Sequence, residues 1–246
     1  MSAKSPSNAE AVIERSTAEM TTTAYALFLI MGLLWGLPYL FIKIAIVEVN
    51  PFALAGLRTL IASCVLIPLA IRSGALRPAL QRWPWAVAFG VMEVAIPWVL
   101  VGHAESRITS GFAGLMIATV PIVGAVVAYI VGDHHALSRI RLLGLGIGVL
   151  GVCALVGLDS LSGHVDALSV VELFLVAVCY ATAPMIVSQK MGDLPSIGVI
   201  AVAIASVAIL YLPSTFSQVH NGWPSLKVSV SIVVLALVCT ALAFIL

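Results

Sequence analysis

The chain has 246 residues, 61% hydrophobic and 9% charged, with a mean hydropathy of +1.14. So few charges cannot cover a water-soluble surface of this size, which excludes a soluble globular domain and describes a polytopic membrane protein in contact with a lipid bilayer. A net charge of +1 with no run of lysines or arginines excludes a nucleic-acid partner.

Residues 1–22 are polar and mixed in charge, and lack the basic start, short apolar core and small-residue cleavage site of a signal peptide. They read as a disordered cytoplasmic tail. Beyond them a bilayer core about 30 Å thick needs about 20 apolar residues in helix. On that ruler the chain yields eight spans near 24–47, 51–71, 84–103, 108–131, 141–158, 168–188, 195–213 and 228–246. The runs are long and continuous, where a barrel would show short alternating segments, so the predicted fold is all-α. Asn50-Pro51, Arg77-Pro78, Trp83-Pro84, Asp159 to Gly163, Leu194-Pro195 and Asn221 to Pro224 supply the turns. With the N-terminus inside, inner segments hold Lys4, Arg15, Arg72, Arg77, Arg82, Arg139, Arg141 and Lys190, against Lys43, Arg107 and Lys227 outside. That asymmetry predicts a cytoplasmic N-terminus.

Two spans are interrupted at matching places. Trp35-Gly36-Leu37-Pro38-Tyr39, with Lys43 beyond it, is echoed by Tyr180-Ala181-Thr182-Ala183-Pro184, with Lys190 beyond. The offset is 145 residues from Trp35 to Tyr180 and 146 from Pro38 to Pro184. The spacing also relates Asn50-Pro51 to Leu194-Pro195, and the stretch 94–100 to 240–246. The reading is two halves, 23–158 with five helices and 159–246 with three. Five spans per copy is an odd number, so complete copies would sit in opposite orientations as an inverted repeat, and paired interrupted helices point to a transport site.

These features resemble the drug/metabolite transporter superfamily in its EamA-like branch. The resemblance rests on Trp35-Gly36 with Lys43, Asn50-Pro51 leading to Ala55-Gly56-Leu57-Arg58, the Pro84 to Ala104 span, and Pro121 followed by Gly132-Asp133 and the glycines 144, 146, 148 and 151. It implies a ten-helix inner-membrane carrier with both ends cytoplasmic, built from two inverted five-helix halves around a central cavity. It also implies export of amino acids or related small metabolites, without a cofactor. Asp133 stands where the family pattern has glutamate, and spans nine and ten are missing. The expectation is a truncated chain; the alternative is a homodimer that supplies the missing wall.

Glu93 is the sharpest candidate. It lies nine residues after Pro84, about 13 Å along a helix, which is close to the bilayer midplane. An ionisable group there faces a cavity or a partner by default. Pro97, four residues on, withholds the hydrogen bond that the Glu93 carbonyl would accept, so carbonyl and carboxyl are offered together to a cation, an amine or a proton. Arg58 needs a partner, either Glu93 or a substrate carboxylate, or a purely structural one. Lys43 snorkels outward or turns in toward an anion. Trp35, Tyr39, Trp98 and Tyr180, with Pro121, are the candidate substrate walls, ordinary packing being the alternative for the aromatics. The stripe Gly111, Gly114, Ala118, Pro121 and Ala125, with Gly144 and Gly148, reads as a packing face that rocking bundles would also exploit, and His103, Glu105 and Arg107 as solvated loop charge.

No metal site is predicted, because His134 and His135 are adjacent where a metallohydrolase wants helical spacing. Cys64, Cys153, Cys179 and Cys239 fall in separate spans, as buried small hydrophobes would. An intramembrane enzyme would need a base beside Ser63, Ser110 or Ser188 at depth, and no histidine lies there. The predicted function is a secondary active transporter working by alternating access, with proton antiport through Glu93. The alternatives are an uncoupled facilitator or exchanger, and a non-transporting fragment.

Overall fold

The computed structural model describes residues 22–132, 142–148, 150 and 166–245. The predicted tail, Asp133, His134-His135, Cys153 and most of the 141–158 span lie outside these, although 142–148 are helical. The ordered elements are α1 (Thr22–Ala45), α2 (Pro51–Arg72), a short α3 (Leu76–Gln81), α4 (Trp83–Glu105), α5 (Ser110–Ile130), α6 (Ala167–Lys190), α7 (Ser196–Leu210), α8 (Leu212–Asn221) and α9 (Leu226–Ile245). Six of these helices are long and apolar enough to cross a membrane, and the bent pair α7–α8 makes a seventh.

The expected single span at 195–213 is instead broken, by 55° between Leu210 and Leu212. Pro213 opens α8, and its missing N–H would have left the Ile209 carbonyl orphaned in a continuous helix. The Tyr211 backbone N–H bonds back to Val207 and Ile209, closing α7. α4 is interrupted differently. Val91–Ala95 forms a π turn ahead of Pro97, and the Ile96 N–H reaches back five residues to the Val91 carbonyl. The wider turn relieves the clash between the proline ring and the Glu93 carbonyl. A second π turn, Leu237–Leu242, lies in α9.

Side-chain contacts fix helix direction. Lys43, near the C-terminal end of α1, donates to backbone carbonyls at the C-terminal end of α4. Arg107, just past that end, meets Asp166 and Glu172 at the start of α6. At the opposite end of α4, Arg82 binds Asp193, just past α6, with contacts of 2.5 and 2.8 Å. α4 and α6 therefore run antiparallel and are tied at both ends, and α1 runs opposite to α6. Each helix that starts at the Glu105 end has a side-chain N-cap: Asn50 to Phe52 N, Thr109 to Phe112 N, Asp166 to Ser169 N and Ser225 to Val228 N.

The core is a close-packed group of α2, α4, α7 and α9 in which glycine lets backbones touch. A Cβ on Gly198 would fall 2.2 Å from the Ala75 carbonyl oxygen, and one on Gly90 would fall 2.8 Å from that of Ala203. α1 and α5 are packed loosely by contrast, and Gly32, Gly36 and Gly114 have nothing within 4 Å of a built Cβ. On α5, Gly114 has open space around it, whereas a Cβ on Gly124 would meet Ala181 at 3.9 Å. We expect Gly198→Ala and Gly90→Ala each to lower stability by about 1–3 kcal/mol through overpacking, and Gly32→Ala to leave it unchanged or raise it slightly. Thermal unfolding in detergent checks this, and equal midpoints for all three variants would contradict it.

Candidate functional site

The interrupted helices converge on one cavity of about 600 Å³. Trp35, Pro38 and Tyr39 reach it from α1, Arg58 from α2, Glu93 and Trp98 from α4, Gly114, Ala118 and Pro121 from α5, Tyr180 and Pro184 from α6, and Cys239 and Phe244 from α9. All six residues expected to contact substrate (Trp35, Tyr39, Glu93, Trp98, Pro121 and Tyr180) lie on its wall. So does Arg58, but Lys43 does not. Trp35 stays 62% exposed, so its ring stands at the open side of the cavity. The break in α5 at Ala118–Thr119 follows from Pro121, which denies a donor to the Ile117 carbonyl, while Thr119 bonds its hydroxyl back to Met116.

Charges in and near the cavity depart from the sequence expectations in three places. Arg58 does not pair with Glu93. It is 5% exposed and binds the second half of the chain, its Nε donating to Thr240 Oγ1 at 2.7 Å and its Nη2 to the Cys239 carbonyl at 3.3 Å. The Trp98 ring centroid lies 3.5 Å from its guanidinium carbon, a cation–π contact. Lys43 neither snorkels nor enters the cavity, because its Nζ is taken by the carbonyls of Glu105 and Ile108 and so caps the end of α4. Glu105 is not solvated loop charge but wholly buried. Its Oε2 accepts from Ser110 at 3.4 Å, and the same hydroxyl reaches the Tyr39 carbonyl at 3.3 Å.

Among the described residues, the buried side-chain nitrogen and oxygen atoms without a hydrogen-bond partner are Glu93 Oε2 and Glu105 Oε1. Such an orphan costs about 1–3 kcal/mol, so two carboxyl groups so held stand out. Glu93 was legible from its depth in an apolar run. Glu105 was hidden, because its sequence neighbours His103, Ser106 and Arg107 make it look like a loop. Of the partners of Arg58, Thr240 was not singled out and Cys239 was read only as a buried small hydrophobe, as both lie some 180 residues away from it.

At the Glu105 end, a cluster ties α4 to α6. Arg107 donates to Asp166 and to Glu172 at 2.6 Å each, and His103 Nδ1 lies 2.6 Å from Glu172 Oε1. The Ser169 hydroxyl, then Arg107 and the Ser169 backbone N–H, hold the Asp166 carboxyl down from its usual 3.8 to about 2.

A model of the EamA-like transporter family matches residues 22–157. The uncharacterized inner membrane transporter YedA of Escherichia coli (strain K12) is 25% identical over 237 residues, which take in 83% of this chain and 76% of YedA. An uncharacterized transporter of Buchnera aphidicola subsp. Schizaphis graminum is 27% identical over 105 residues, 42% of this chain and 35% of that protein. A protein of known crystal structure shares the fold with a TM-score of 0.68, over 92% of this chain and 77% of its own, at 21% identity.

The Asp166 cluster carries a pH signature. A depressed folded-state pKa stabilises above the unfolded value of 3.8, and the contribution is lost as pH falls toward about 2. The unfolding midpoint of the wild-type chain should therefore exceed that of Asp166→Asn by a constant amount above about pH 5, the gap closing below about pH 4. Midpoints measured from pH 7 to pH 2 check this; a gap that persists at the lowest pH would contradict it.

Proposed function

The chain belongs to the EamA-like transporter family, and from that premise we propose that it is a secondary active transporter of amino acids or related small metabolites. It exports them across the inner membrane by alternating access, with a proton exchanged at Glu93. Membership of a transporter family sets aside the intramembrane enzyme. The observation that carries the reading is the cavity, which gathers both interrupted helices, a buried carboxyl and a buried guanidinium in one space lined largely by aromatic and apolar groups.

Alternating access needs two related halves, and several features support them. α6 ends 145 residues after α1, 190 against 45. α7 starts 145 residues after α2, and the second π turn starts 146 after the first. The antiparallel run of α1 and α6 agrees with inversion. We read 1–22 as a cytoplasmic tail, 23–158 as the first half and 159–246 as the second. The lysine and arginine distribution supports a cytoplasmic N-terminus, and likeness to YedA supports the inner membrane.

The uneven packing supports a division of labour. α2, α4 and α7 meet at glycine contacts too close to slide freely, whereas α1 and α5 border the cavity with open faces. The loose pair moves and the close-packed group stays.

Glu93 is the group that exchanges the proton. Among the described residues it has no ion-pair partner, and its Oε2 lacks a hydrogen bond, so it can take up a proton without breaking one. In proteoliposomes loaded with a panel of radiolabelled amino acids, an imposed pH gradient should raise counterflow in the wild-type chain. Glu93→Gln should reduce gradient-driven flux by about tenfold or more while exchange at equal pH survives. Flux indifferent to the gradient would replace antiport with an uncoupled facilitator or exchanger, and no flux of any substrate would remove the carrier reading for this chain.

A further inference from the structure

Arg58 lines the cavity with part of its donor set already committed. A guanidinium has five N–H groups, arranged as a side-on edge through Nε and one terminal nitrogen and an end-on edge through the two terminal nitrogens. Thr240 Oγ1 and the Cys239 carbonyl take the side-on edge, and both come from the π turn Leu237–Leu242 of α9. Trp98 covers one face of the plane. The Thr240 side chain is itself fixed: it is fully buried and donates its hydroxyl hydrogen to the Leu235 carbonyl at 2.8 Å, so its lone pairs are left to accept from Arg58. The end-on edge carries no hydrogen bond among the described residues.

We propose that this edge is the binding site for a monocarboxylate, with Thr240 as the residue that positions it. The proposal rests on the carrier reading of the cavity and names the charged group that the cavity recognises. Two parallel N–H···O bonds from the end-on edge match the spacing of carboxylate oxygens, a geometry that lysine cannot offer. The charge count points to one negative charge. Lys43 is spent on backbone carbonyls outside the cavity. Glu93 shares the cavity without pairing to Arg58, so a dianion such as a phosphate ester would face its carboxyl. With Thr240 and Cys239 capping one edge and Trp98 one face, Arg58 cannot swing to meet its ligand. The carboxylate must arrive in the guanidinium plane, from the cavity.

Benzoate and benzamide share a shape and differ in charge, which makes them the probes. Binding is read on the purified chain in detergent as the ligand-induced shift of the unfolding midpoint, each variant against its own unliganded baseline. Wild-type chain should show a saturable shift with benzoate and none with benzamide, and Arg58→Gln should abolish it. Thr240→Val, which keeps the shape and loses the acceptor, should weaken benzoate about tenfold, and Thr240→Ser should stay within about twofold of wild type. Unchanged benzoate affinity in Thr240→Val overturns the positioning role. Equal binding of the two probes, no benzoate binding, or binding that survives Arg58→Gln overturns the carboxylate site. None of these results bears on gradient-driven flux through Glu93, whose failure is read separately in proteoliposomes.

Discussion

A guanidinium buried inside a bundle of apolar helices organises much of what surrounds it. Arg58 cannot release its proton in a protein, so its charge must be met where it lies. The answer draws on three groups from two distant parts of the chain: a hydroxyl and a backbone carbonyl from α9, and an indole ring from α4. Each needs its helix to be out of the ordinary or closely placed. The π turn in α9 brings Thr240 and the Cys239 carbonyl to the same side, and the close approach of α2 to its neighbours depends on glycine contacts. Were the charge absent, the same space could be filled with leucine.

Much of the fold was legible because the bilayer simplifies the code. Continuous apolar runs of about 20 residues have few structural outlets, and each predicted span that falls among the described residues coincides with a helix or with the bent pair. Pro38, Pro97 and Pro184 were read as disturbances but not as to kind, and Pro213 was passed over inside a predicted span. Pro38 and Pro184 stay within helices that continue through them, Pro97 is preceded by a π turn, and Pro213 opens a separate helix after a 55° bend. Local sequence does not distinguish these outcomes, because the choice depends on which neighbouring group takes the freed carbonyl.

The site divided along the same line. Residues whose oddity is local, such as an acid or an aromatic in the middle of an apolar run, could be picked out from the sequence, and Glu93, Trp35, Trp98 and Tyr180 line one cavity. Residues whose importance is relational were missed or misread. Thr240 is an unremarked threonine until Arg58 is seen to bond to it, and Glu105 becomes unusual only when α1 folds Lys43 and Tyr39 over the end of α4. Lys43 failed for a third reason. Snorkelling treats water as the only partner for an ammonium near a helix end, and the carbonyls of Glu105 and Ile108 competed for it.

The two π turns carry the argument one step further. They occupy corresponding places 146 residues apart, yet different chemistry accompanies them: a proline follows the first, whereas the second holds a threonine whose hydroxyl bonds five residues back. The backbone device is common to both, and what it serves differs. The first turn presents a carboxyl to the cavity, and the second presents acceptors that hold a guanidinium. The cavity therefore holds a carboxyl carried by one π turn and a guanidinium gripped by the other.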